Sequence, residues 1–188
     1  KIKVIGKAAH AGLEPENGIN ATVEISKLIN QIIQLADSKS GTTVVPTVLQ
    51  SGTTTNTVPE VATLDIDCRS FEMKQLQRID SEIRKLQSSS AKVEVSGAIN
   101  RPPLEEQNSK QLFQILNNKL KSVGKSEVLS AAVGGASDGN LAAAAGAQVL
   151  DGLGAVGHGA HAKTEHILKS KIESQIEMAK LLIQELCK

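Results

Sequence analysis

Residues 61–69 constrain the fold of this 188-residue chain more than any other stretch. Ala62, Leu64, Ile66 and Cys68 alternate with Thr63, Asp65, Asp67 and Arg69. Successive strand side chains point to opposite faces, so a period of two describes a strand with one face buried and the other in water. Such a strand belongs in an antiparallel sheet that is covered on one side. Its neighbours supply both partners and cover. Ile2–Ile5 and Val44–Leu49 read as further strands, and Val93 with Val95 marks a last short one. Ala21, Ile25, Leu28, Ile32 and Leu35 recur at helical spacing and predict a helix over about 17–36. Leu76, Ile79, Ile83 and Leu86 predict a second. The order βαββαβ implies a ferredoxin-like α+β domain, an antiparallel sheet with both helices on one face.

This pattern breaks at Ala98-Ile-Asn-Arg-Pro-Pro103, where two prolines exclude both a helix interior and a central strand. The break divides the chain into domains 1–98 and 99–188. In the second, Leu112, Ile115, Leu116, Leu120 and Val123 line a helix whose expected start is a capping box of Asn108 and Gln111. Val128–Val133 and Gln148–Leu150 are expected as strands. Between them lies Gly134-Gly-Ala-Ser-Asp-Gly139, opening onto a short alanine-rich helix with Ser137 or Asp138 as its cap. A dense glycine cluster, Asp151-Gly-Leu-Gly-Ala-Val-Gly-His-Gly-Ala-His161, precedes the terminal helix. A capping box of Ser170 and Glu173 is expected to start that helix, and Ile172, Ile176, Ala179, Ile183 and Leu186 to form its apolar stripe.

Composition narrows the partners. A net charge of +1, from 21 basic and 20 acidic residues without long runs, creates no field that would gather nucleic acid or an anionic membrane. No apolar run is long enough to span a bilayer. With two Phe and no Trp or Tyr, the chain has almost nothing on which bases or sugars could stack. Two cysteines, one in a strand pattern and one near the C-terminus, do not make a disulfide framework.

Chemistry concentrates in the glycine-rich loops, where a ligand can approach the backbone closely. Gly134-Gly-Ala-Ser-Asp-Gly139 could cradle a carboxylate or phosphate, or could be no more than a tight turn. His10 stands in the small-residue loop Gly6-Lys-Ala-Ala-His-Ala-Gly12. Alone, it reads as solvent-facing, Arg69 as one half of a surface ion pair, and Asn56 beside Pro59 as a turn former. His161 ends a flexible turn, but catalytic zinc takes three protein ligands, so one histidine does not make a metal site.

Six segments occurring in order carry more weight than any one. They are Gly-Lys-Ala-Ala-His10-Ala-Gly, Gly18-Ile-Asn20-Ala, Thr54-Thr-Asn56-Thr-Val-Pro-Glu60, Asp65-Ile-Asp-Cys-Arg69, Gly134-Gly-Ala-Ser-Asp138 and Gly157-x-x-x-His161-x-x-x-Glu165. Together they resemble the di-zinc hydrolase family of glutamate carboxypeptidase, aminoacylase, acetylornithine deacetylase and succinyl-diaminopimelate desuccinylase. The resemblance spans nearly the whole chain. It implies that 1–98 is a ferredoxin-like lid or dimerisation domain and 99–188 the C-terminal part of a zinc-exopeptidase α/β catalytic domain. It makes His161 a zinc ligand and His10 the catalytic donor that reaches across a homodimer to the oxyanion. Asn56, Arg69, Gly134, Gly135 and Ser137 become substrate-binding positions, for a small peptide or N-acyl amino acid whose amide lies next to a free carboxylate. Two zinc ions are implied for the complete enzyme. The family's remaining metal ligands and its general-base glutamate precede the lid, and nothing in these residues corresponds to them. The expectation is therefore a fragment, inactive by itself. Two other readings stay open, a non-catalytic ferredoxin-like module that dimerises or binds an amino acid, and a nucleotide-binding domain using the Gly134 loop.

Overall fold

In the computed structural model, which describes all 188 residues, the strand at 61–69 lies inside a four-stranded sheet. The strands are β1 (Ile2–Ile5), β2 (Thr43–Ser51), β3 (Val61–Arg69) and β4 (Lys92–Val95). Their spatial order is β2-β3-β1-β4 and every pair is antiparallel, with Ile2 opposite Leu64 on one side and Val95 on the other. The helices α1 (Ala21–Ile32) and α2 (Met73–Arg84) cover a single face. Ile2, Val4, Ala62 and Leu64 from the strands, Ile25, Leu28 and Ile32 from α1, and Ile79 and Ile83 from α2 form one continuous core. This is the ferredoxin-like arrangement that the period-two and helical patterns imply.

Local chemistry sets the boundaries. α1 begins at Ala21 rather than near 17 because Asn20 Oδ1 accepts the backbone N–H groups of Thr22 and Val23 at 3.0 and 3.2 Å. Residues 15–17 form a separate 3₁₀ turn. In β2 the register slips between Pro46 and Val48, leaving Thr47 as an extra residue whose hydroxyl donates to the Asp65 carbonyl at 3.1 Å. Proline has no N–H to give to a ladder, and an edge strand with a bulge is where it is tolerated. The edge also leaves Val45, Val48 and Leu49 exposed, and Val23 on α1 and Ile33 in the turn that follows it face solvent.

The chain divides into two units, Lys1–Pro103 and Leu104–Lys188. The second holds α3 (Glu106–Ser122), the short α4 (Gly139–Ala144), a two-residue ribbon of β5 (Gly157–His158) and β6 (His166–Ile167), and α5 (Lys169–Leu186). Its core is small: Leu116, Leu120 and Leu182, with Ile115, Val128, Leu150, Leu153, Met178 and Leu181 packed around them.

Several features of this unit differ from the sequence reading. No strand forms at 128–133 or 148–150. A strand needs a neighbour for its backbone groups, and here the Asn117 side chain takes both the N–H and the carbonyl of Val128, at 2.8 and 3.1 Å. Leu129 and Val133 are left 94% and 72% exposed, so this β-prone segment has its apolar side chains in water. α3 begins at Glu106, which places Asn108 and Gln111 inside the helix rather than at its cap. α5 begins at Lys169, directly after the Leu168 N–H closes the ribbon on the Val156 carbonyl at 2.8 Å, and Ser170 falls within its first turn. On α5 the buried face is Met178, Leu181 and Leu182, whereas Ile176, Ile183 and Leu186 of the expected stripe are exposed.

Candidate functional site

The loop after β1 carries His10, and its geometry fixes the ring. Nδ1 accepts the backbone N–H groups of Gly12 and Leu13, both at 3.1 Å. A nitrogen that accepts two hydrogen bonds carries no proton, so the neutral ring holds its proton on Nε2. His10 thus offers an exposed Nε2–H donor whose ring is held by the turn that it closes. The loop is itself tied to the segment before β3. His10 and Thr57 form a bridge, the Ala11 N–H donates to the Asn56 carbonyl at 2.9 Å, and the Val58 N–H donates to the Ala9 carbonyl at 2.9 Å. His10 and Asn56, far apart in sequence, are thereby brought to one end of the sheet.

Arg69 is not brought there. It ends β3 at the opposite extremity, and the eight residue steps from Val61 to Arg69 correspond to about 26 Å of extended chain. Its Nε and Nη2 donate to the Asp67 carboxylate, with Nη2 at 2.9 Å. That guanidinium holds the Asp67 carboxyl below the usual carboxylate range.

In the second unit, Gly134 and Gly135 face open space, where an added Cβ would meet nothing within 4 Å. Neither has a positive φ, so no packing or backbone requirement within the chain demands glycine at either place. Ser137 is more constrained. Its hydroxyl donates to Asp151 Oδ2 at 2.6 Å and accepts the Gly139 N–H at 3.1 Å, while its own N–H donates to Oδ1 of the buried Asn140 at 3.0 Å. With its proton committed to Asp151, the Ser137 hydroxyl has only acceptor capacity left. The Ser137 hydroxyl and the Gly152 N–H hold the Asp151 carboxyl below its ordinary value. Asp151 therefore anchors the Gly134 loop to the start of the glycine cluster. The sequence gives Asp151 no signal beyond its place in that cluster.

His161 is exposed and has φ +64°, the only non-glycine residue in the left-handed region. Such a conformation is sparsely populated for a side chain with a Cβ and is held by the surrounding turn. Here the turn is narrow. A Cβ on Gly157 would lie 2.0 Å from the His166 carbonyl oxygen, and Gly159, at φ +74°, would place one 3.0 Å from the Thr164 carbonyl oxygen.

No group of three or more His, Cys, Asp or Glu side chains in the chain lies close enough together to hold a metal ion. His161 is a single candidate ligand, and these residues do not by themselves make a dinuclear centre. No helix is long and apolar enough to cross a membrane.

A four-stranded antiparallel sheet with two helices on one face, and with the His10 and Asn56 loops joined at one end, defines a ferredoxin-like α+β domain. The chain belongs to the peptidase dimerisation domain family, which it matches over residues 1–95. It is 31% identical to carboxypeptidase G2 of Pseudomonas sp. (strain RS-16) over 195 aligned residues, which cover 99% of this chain and 46% of that protein. Aminopeptidase PepT of Bacillus cereus shares the fold with a TM-score of 0.80 at 24% identity, over 100% of this chain and 51% of that one. The YXEP protein of Bacillus subtilis, a dinuclear metal-binding peptidase of the M20 family, does so with a TM-score of 0.67 at 15% identity, over 98% and 48%. The chain spans about half the length of the curated relatives that it matches.

Proposed function

We propose that these residues form the dimerisation domain and the C-terminal part of the catalytic domain of a metal-dependent amide hydrolase of the glutamate carboxypeptidase type. Its substrate is a small peptide or N-acyl amino acid with a free carboxylate next to the cleaved bond. The observation that carries this reading is His10, an exposed Nε2–H donor held rigidly by two backbone N–H groups beside Asn56. A fixed donor of this kind suits an oxygen on which negative charge develops during amide cleavage. A Cβ added at Gly134 or Gly135 would meet nothing within 4 Å, so a substrate carboxylate can come close to this stretch of the loop. Ser137, as an acceptor, shapes that loop rather than donating to an anion. His161 is proposed as one zinc ligand, with the remaining ligands of a two-zinc centre supplied from outside these residues.

The separation of His10 and Asn56 from Arg69 favours a homodimer. Joined two-fold through the β2 edges, two sheets run antiparallel, so the His10 end of one protomer adjoins the Arg69 end of its partner. His10 and Asn56 from one protomer and Arg69 from the other then flank one substrate, with the Arg69 guanidinium, held by Asp67, placing positive charge beside the substrate carboxylate.

The test uses a protein in which this chain is joined to the N-terminal half that its relatives possess. His10→Ala homodimers are expected to lose about 10²–10³-fold in turnover while keeping metal. His161→Ala homodimers are expected to lose metal and activity together. Mixing the two inactive proteins restores one working site per mixed dimer. Verified subunit exchange without recovery of activity refutes the assignment of His10 to the partner's site.

A further inference from the structure

The ribbon of β5 and β6 places His158 directly opposite His166. Directly paired residues on antiparallel strands project to the same side with Cβ atoms about 4.5–5.5 Å apart. The two imidazoles are 5.8 Å apart between centroids and tilted by 51°, and both residues are exposed. His166 Nδ1 lies 2.8 Å from the Thr164 carbonyl oxygen. A carbonyl only accepts, so Nδ1 carries the proton and the Nε2 lone pair is free. Metal-ligating histidines commonly donate their other ring nitrogen to a carbonyl in this way, which fixes the tautomer and the ring orientation.

We propose that His158 and His166 form a two-histidine binding site for a divalent transition-metal ion, separate from the role proposed for His161 and independent of it. Two imidazole nitrogens bound to one ion at about 2.0–2.1 Å place their ring centroids roughly 5 Å apart, so the observed spacing closes with small side-chain rotations. Gly157 and Gly159 allow the backbones here to approach more closely than a side chain with a Cβ permits, which brings the two histidines onto facing positions. No third His, Cys, Asp or Glu is near enough to complete a protein-only shell, so water fills the other positions and the ion exchanges freely. Imidazole donors select Cu²⁺ most strongly among the common divalent ions, followed by Ni²⁺ and Zn²⁺. Mg²⁺ and Ca²⁺, which require oxygen ligands, do not bind there.

The experiment is a titration of the 188-residue chain with Cu²⁺, read by paramagnetic broadening of the four histidine ring signals and by calorimetric stoichiometry. One ion per chain is expected, broadening His158 and His166 first, with Mg²⁺ producing no change. His158→Gln and His166→Gln are each expected to weaken binding by roughly tenfold or more, and His161→Gln to leave it unchanged. The wild-type broadening pattern tests the site without any variant. Broadening that begins at His10 or His161, binding lost in His161→Gln, or affinity unchanged in both pair variants overturns the proposal. The dimer-mixing experiment decides the proposed activity separately, because neither of its variants touches the pair.

Discussion

Glu24 is the one buried acidic residue in the chain, only 6% exposed on α1, and it holds a second element in place. Its Oε2 accepts the Ser88 hydroxyl at 2.7 Å and its Oε1 accepts Lys27 Nζ at 2.5 Å. Ser88 Oγ in turn accepts the N–H groups of Ser90 and Ala91 at 3.2 and 2.9 Å, so the carboxylate fixes the turn that leads into β4. A hydrogen bond to a charged group contributes roughly 1.5–3 kcal/mol. The pair with the exposed Lys27 adds only about 0.3–0.5 kcal/mol. Glu24→Ala is therefore expected to cost about 2–3 kcal/mol, and Glu24→Gln, which keeps an acceptor for Ser88, roughly half of that. Hydrogen bonds from Lys27 and Ser88 hold this carboxyl below its ordinary value of 4.5, against the opposing effect of burial. Because the folded value is the lower one, the stabilisation is fully present above the unfolded value and disappears as pH falls through the folded one. The gap between wild type and Glu24→Gln should accordingly be present at neutral pH and close in acid. The chain has no Trp or Tyr for fluorescence, so the assay is urea unfolding followed by the NMR signals of Ile25, Leu28 and Leu64. A Glu24→Ala midpoint equal to wild type, or a Glu24→Gln gap that persists undiminished in acid, refutes the reasoning.

Gly6→Ala should displace the His10 loop, since its Cβ would lie 2.1 Å from the Ile19 carbonyl oxygen, which accepts the Lys7 N–H at 3.0 Å; loss of amide protection at Lys7 and Ile19 checks this. Leu49→Lys on the exposed β2 edge should turn the proposed dimer into a monomer with its core intact, as measured by sedimentation; an unchanged dimer places the interface elsewhere. The 188-residue chain should retain no stoichiometric zinc after dialysis and hydrolyse no acyl-amino-acid amide, because His161 is a lone ligand. Tight zinc that is lost in His161→Ala contradicts this.

The first unit was legible in the sequence because each of its strands finds its partners within it. Alternation at 62–69 and the stripe of Ile25, Leu28 and Ile32 record which faces are buried, and that is a local property of the chain. The second unit was less legible for the same reason. The β-prone run at 128–133 predicts a strand, but a strand exists only where another backbone lies beside it, and Asn117 takes the hydrogen bonds of Val128 instead. Periodicity likewise assigned α5 the stripe of Ile176, Ile183 and Leu186, when packing against α3 buries Leu182. Residue types and motif order marked His10, Asn56, Arg69, Ser137 and His161 as candidates. They did not reveal the Nε2–H tautomer of His10, its junction with Asn56, the distance of Arg69 from both, the Asp151 anchor on Ser137, or the facing of His158 and His166. Each of these depends on hydrogen bonds or strand pairing that fix one loop against another, and such contacts are made in three dimensions between segments whose local patterns carry no record of one another.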